Sequence, residues 1–147
     1  MRFLSLLMLF FLNLSASDMI IKKSECSVDE TVMNIKSIVK KKGLSIFATI
    51  NHDANAKAVG MELQEAKMVM FGNPKLGTKL MQEDITAGLD LPLRILVYKD
   101  SYGEVKMAYR DGSWLAEHHI IKAQQRVAKV NNAMDNITKK AGQCKRD

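Results

Sequence analysis

The sequence predicts an α+β domain: an antiparallel β-sheet of about five strands (β-α-β-β-β-β-α) with two main helices packed on one face. Three observations predict it. Short stretches alternate apolar and polar side chains, and successive side chains leave a strand on opposite faces. A capping box opens one amphipathic helix, and a long stripe spaced by four and three marks another near the end. Two such helices and several half-apolar strands need a common partner, and one sheet covered on one side satisfies them all.

The chain opens with Met1-Arg2, an apolar run over residues 3–12 and small residues before Asp18. This layout reads as a secretory signal peptide over residues 1–17, with an apolar core shorter than the roughly 20 residues of a spanning helix. Cleavage is expected after Ala16 or Ser17. Residues 18–147 then form one domain with a basic C-terminal tail and no membrane span. The expected location is periplasmic or secreted, and the short Met-Arg start suits a bacterial export signal.

The formal net charge is +6, concentrated in Lys40-Lys41-Lys42, Lys139-Lys140 and Lys145-Arg146. These clusters fall where helices end, and cations there complement the helix dipole. No basic face interleaved with aromatics is visible, so nucleic acid is not the expected partner.

The elements follow in order. Residues 19–25 read as a first strand. Ser27-Val28-Asp29-Glu30 is a capping box, Val28, Val32, Ile35 and Ile38/Val39 repeat at helical spacing, and Gly43 ends that helix. Leu44, Ile46, Ala48 and Ile50 alternate with Ser45, Phe47, Thr49 and Asn51 in a second strand. Asp53 is placed to cap a short helix over residues 54–59. Residues 66–71 and 93–99 read as strands three and four. Asp100-Ser101-Tyr102-Gly103 then turns the chain into a fifth over residues 104–110. Ala116, Ile120, Ala123, Val127, Val130, Met134 and Ile137 lie on one stripe, which predicts a single helix starting near Ser113.

Two cysteines remain in the domain, Cys26 and Cys144. An even pair in an oxidising compartment is able to bond. The other reading makes Cys26 a buried small hydrophobe and leaves Cys144 in the tail; the sequence leaves both open. No Cys-x-x-Cys supports a redox role.

Four stretches, "INHDANAKAVGMEL", "MVMFGNPKLGTKLM", "LDLPLRILVYKD" and "VKMAYRDGSWLAEHHI", in this order and at these distances, resemble the domain-of-unknown-function 302 family over about residues 20–140. The resemblance implies an α+β fold similar to half of the TATA-binding protein, assembly as a homodimer, and no established activity. Asp111-Gly112 follows Tyr109-Arg110 where the family tends to read Asp-Pro. Glycine there is expected to loosen the turn ahead of the final helix.

Candidate site residues are few. Asn73 and Pro74 explain a helix start without any ligand. Lys75 and Thr78, beside free first-turn amides, also suit a carboxylate, phosphate or other oxyanion. The spacing of a nucleotide-binding loop is absent. His52, next to Asp53, is a candidate acid-base group or metal ligand. Tyr109 and His118 complete the ligand candidates. A metal set would draw on His52, His118 and His119 with methionine sulfurs, which suit Cu(I). His118 and His119 are adjacent on a helix and so about 100° apart, a poor pair for one ion, and core filling accounts for the methionines. Gly-x-Ser-x-Gly and His-Glu-x-x-His are absent.

The residues favour an exported, non-catalytic module over an enzyme and name no cofactor. The expected ligand is a small anionic or amphipathic molecule between the sheet, the Asn73-Pro74-Lys75 helix start and the final helix. A periplasmic copper-type metal-handling protein and a structural homodimer are the competing readings.

Overall fold

The computed structural model describes residues 18–144; the expected signal peptide and the Lys145-Arg146 cluster lie outside them. The elements run β1 (Ile20–Lys23), α1 (Val28–Lys41), β2 (Ser45–Asn51), α2 (His52–Ala58), β3 (Ala66–Gly72), α3 (Pro74–Glu83), a 3-10 turn (Ile85–Leu89), β4 (Leu93–Lys99), β5 (Val105–Tyr109), α4 (Gly112–His118) and α5 (Gln124–Ala141). The strands form one antiparallel sheet in the order β1-β5-β4-β3-β2. This is the α+β architecture the sequence predicts.

Alternation decides which sheet face is covered. Val69 and Phe71 of β3, Ile95 and Val97 of β4 and Val105, Met107 and Tyr109 of β5 share one cluster with Val28, Val32, Ile35 and Val39 of α1. Val127, Val130, Met134 and Ile137 of α5 close it. The opposite face carries a row of apolar side chains across all five strands, Ile21, Ala108, Leu96, Met68 and Ile50, set by the pairing register.

Helix α1 starts and stops on local chemistry. Ser27 accepts from the Glu30 amide, and the Glu30 carboxylate accepts from the Ser27 amide at 2.9 Å, which closes the capping box. Gly43 follows the C-cap with φ 69°, a conformation that costs glycine nothing. Cys26 and Cys144 are joined in a disulfide that spans 118 residues and ties the entry of α1 to the chain just beyond α5. A loop of that length contributes about 4–5 kcal/mol in the loop-entropy picture.

Four local expectations need correction. Asp53 does not cap α2: the helix starts two residues earlier than expected, at His52, and the Asp53 carboxylate accepts instead from the Ala66 amide at 3.2 Å. In β2 the register shifts between Ile46 and Ala48, so Phe47 sits at a bulge. Ile46 pairs with Phe71 on the covered side, whereas Ala48 and Ile50 pair with Met70 and Met68 on the other; the bulge, not plain alternation, sets the faces.

The third correction is the final helix, which is two. The chain leaves α4 at His118 and enters α5 at Gln124. The cause is a pair of carboxylates from the end of α3. Glu83 accepts from the Lys122 and Ala123 amides at 2.6 and 3.1 Å and pairs with Arg126, while Asp84 accepts from the Ile120 amide at 2.9 Å. These bonds take amides that a continuous helix would send to carbonyls four residues back. Ile120, on the stripe by spacing, is 66% exposed, and Ile121 is buried in its stead.

The fourth is Gly112, which opens α4 and loosens nothing. A Cβ there would lie 2.5 Å from the Val127 carbonyl oxygen and 2.9 Å from Asn131 Oδ1. Its glycine is required by the close approach of α4 to α5. Gly112→Ala should therefore lower stability by about 1–3 kcal/mol, read from denaturant midpoints at unchanged slope.

Hydrogen bonds hold both carboxyls of the linker clamp below their ordinary values, 4.5 for Glu83 and 3.8 for Asp84. The Lys122 amide is the main cause at Glu83 and the Thr86 hydroxyl at Asp84. A carboxyl with a lowered folded pKa contributes its stability in full above the unfolded value and loses it as pH falls through the folded one. Melting temperature should thus drop below about pH 4.5. In a Glu83→Gln/Asp84→Asn variant the melt should be lower near neutrality and flatter on the acid side, a comparison that thermal melts across the range supply.

Candidate functional site

The stretch FGNPKLG joins β3 to α3. Asn73 is the N-cap, with Oδ1 accepting from the amides of Lys75 at 2.9 Å and Leu76 at 3.2 Å; Pro74 opens the helix. The Gly77 amide donates to the Asn73 carbonyl at 2.9 Å. The first-turn amides available to an oxyanion are therefore bonded within the chain. Lys75 is exposed.

Beside this turn lies a cavity of about 270 Å³. Gly72 and Leu93 contribute from the sheet, Leu76, Gly77 and Met81 from α3, and Val130 from α5. Phe47, placed there by the β2 bulge, and Pro92 border it too, and the lining is mainly apolar. Asn73 and Thr78 bring polar atoms to it; Lys75 does not belong to the lining. The volume is close to the lower end of ordinary small-molecule sites.

The two glycines of the stretch are not dictated by the backbone. Neither has a positive φ. A Cβ on Gly72 would make only ordinary contacts, 3.9 Å to Phe47 and 4.0 Å to Pro92, and one on Gly77 would meet nothing within 4 Å. Glycine inside a helix costs about 1 kcal/mol relative to alanine. What Gly77 yields for that cost is open volume in the cavity wall.

Helix α3 itself is fastened mostly at its ends. Leu80 is its one buried residue among those described, Asn73 caps its start, and Glu83 and Asp84 grip the α4–α5 linker at its finish.

The histidines do not meet. His52 stands where β2 ends, next to Asn51, which pairs with Lys67. His119 binds Asp90, ahead of the opposite end of β4, through Nε2 at 2.8 Å, and its Nδ1 lies 3.2 Å from the Thr86 hydroxyl and 3.8 Å from Asp84. The seven residues of β4 separate these ends by roughly 20 Å. His118 stacks on Trp114 at 4.0 Å between ring centroids and donates from Nδ1 to the Trp114 carbonyl at 2.9 Å. Among the described residues no group of three or more His, Cys, Asp or Glu has the arrangement to hold a metal ion. The metal set of His52, His118 and His119 is not assembled.

Tyr109 is buried in the core, with the Lys22 ammonium 5.8 Å from its ring centre, and borders a second, smaller cavity near Trp114. The sequence-derived ligand residues thus divide: Asn73 and Thr78 at the first cavity, Tyr109 at the second, His118 against Trp114, His52 and Lys75 at neither. Glu83 and Asp84 fasten the first site, and although Asp84 also caps the turn at Thr86, the linker amides that the two carboxylates hold lie 36 or more residues away, where no local signature reaches.

The fold is similar to the crystal structure of an uncharacterized conserved DUF302 protein from Bacillus stearothermophilus. The TM-score is 0.63 at 15% identity, covering 86% of this chain and 94% of that one. In sequence the chain is 38% identical over 112 residues to proteins named fluoride-specific ion channel FluC 1 in Brucella suis biovar 1 (strain 1330) and Brucella abortus biovar 1 (strain 9-941). Those matches take in 76% of this chain but 44% and 42% of the relatives, so the chain spans less than half of their length. The family model described as domain of unknown function DUF302 matches residues 20–141. The chain belongs to the DUF302 family.

Proposed function

We propose that the chain is an exported, non-catalytic binding module that takes a small amphipathic molecule in the cavity between the sheet, α3 and α5. The observation that carries this reading is Gly77: a helix-interior glycine, unforced by φ or by any neighbour, that widens an apolar cavity with Asn73 and Thr78 at hand. A ligand with a hydrocarbon body and one hydrogen-bonding end fits that lining. Export is supported by the signal-like start and by a disulfide that suits an oxidising compartment.

A purely anionic ligand has less support, because the amides of Lys75, Leu76 and Gly77 are already bonded. The same occupancy argues against fluoride, named in the Brucella relatives, as a ligand of this turn. The metal-handling reading would need His52 near His118 or His119, and the length of the sheet keeps it away. Assembly as a homodimer, which the family resemblance implies, is compatible with this reading and not required by it.

The test uses n-octanol and two substitutions at one position. Octanol should raise the melting temperature of the native chain and be retained in native mass spectra. Gly77→Ala should stabilise the protein by up to about 1 kcal/mol. Gly77→Leu should fill the space and abolish the octanol response. An octanol-insensitive native chain, or a Gly77→Leu variant that still responds, would overturn the reading.

A further inference from the structure

We infer that the chain carries a second site, for a small carboxylate with an apolar body, on the sheet face that α1 and α5 leave uncovered. A cavity of about 180 Å³ opens there, where Met68, Leu96 and Ala108 of the apolar row meet Arg94, Arg110 and Trp114. The site is independent of the first cavity: Gly77, Met81 and Val130 do not line it.

The apolar part of the lining comes from strand alternation, which sends Met68, Leu96 and Ala108 to one face in register. The polar part is cationic. Arg94 donates from Nη2 to the Leu89 carbonyl at 3.1 Å, which fixes the guanidinium and leaves N–H groups over. Arg110 lies 4.2 Å from the Trp114 ring centre. Its separation from the Asp90 carboxylate is 4.0 Å, beyond hydrogen-bond distance. Asp90 also borders the cavity, but its Oδ2 is bonded to His119. Two guanidiniums therefore share the cavity with a single carboxylate, whose Oδ1 faces Arg110 and whose Oδ2 is bonded to His119, and a planar fork stacked on an aromatic ring suits carboxylate recognition.

Trp114 forms one wall of the cavity. Its ring is stacked on His118 and also contacts Arg110, and its Nε1–H is fully buried with no acceptor among the described residues. A carboxylate seated between Arg94 and Arg110 would accept from both guanidiniums, and its apolar body would cover Leu96 and Met68. The arginines would not be served by a neutral hydrocarbon.

Trp114 is the single tryptophan of the chain, so its emission reports on this cavity. The full chain would be titrated with sodium benzoate and, at matched ionic strength, with benzyl alcohol, following Trp114 fluorescence and heat of binding. Benzoate should bind saturably, and the neutral alcohol about tenfold or more weaker, the loss expected for a charge-assisted bond. Arg94→Gln should weaken benzoate by a similar factor, while Gly77→Leu should leave it unchanged. Absence of saturable benzoate binding, equal affinity for the alcohol, or full affinity in Arg94→Gln would each overturn the site. Loss of benzoate binding in Gly77→Leu would move the ligand to the first cavity and overturn it as well. The alcohol comparison needs no variant, so the outcome does not hang on how Arg94→Gln folds.

Discussion

One-sided burial of the sheet is the constraint on which the rest depends. Five strands at about 4.8 Å spacing make a surface roughly 20 Å across, and two helices packed side by side at 8–10 Å cover about that width. Helices α1 and α5 do so along Val69, Ile95, Met107 and their neighbours, where the cluster is closed. At the end where β3 leaves the sheet and β4 enters, Leu76, Leu91 and Leu93 are only half-buried against that cluster. Helix α3 spans this end with little packing of its own, and the first cavity is what it encloses. The uncovered face is the other consequence, since alternation gives it side chains of its own.

Polar groups then do locally what packing does elsewhere. Glu83 and Asp84 replace helical carbonyls as acceptors for the linker amides, which stops α4 and allows α5 to start in a new direction. The same bonds anchor the far end of α3, whose near end is fixed by the Asn73 cap. A helix fastened at both ends can leave the side between them unfilled. Gly77 and the absence of a tight neighbour around it are tolerable for that reason.

Much of the fold is legible in the sequence because its signals are local. The Ser27–Glu30 box, the Asn73-Pro74 start, the Gly43 stop and the alternation of β3 to β5 each depend on residues within a few positions of one another. Three of the four misreadings have distant causes. The stripe from Ala116 to Ile137 keeps helical spacing through residues 119–123, and only carboxylates 36 or more positions upstream break it. Asp53 looks like a cap until the Ala66 amide claims it. Gly112 resembles a loose turn until Val127 is brought against it. The first candidate site was legible through its helix start, but its cavity draws on two strands, the bulge at Phe47 and two helices, and no periodicity reports a space between elements. The second was hidden further, because its arginines and tryptophan come from different elements and none belongs to a motif.

Strand β4 relates the two cavities. Leu93 borders both, whereas its neighbour Arg94 lines only the cavity on the uncovered face, as the two-residue period of a strand requires. The stretch LDLPLRILV therefore gives one apolar residue to the walls of both cavities and one cation to the second alone. The sheet between them carries no polar path from one to the other: Ile95, Val97 and Val69 are fully buried and apolar. Sites so separated, and with different chemistry, respond to substitutions independently unless a backbone shift couples them. Leu93 is the position where such a coupling would arise, because a change in its bulk alters a wall of both.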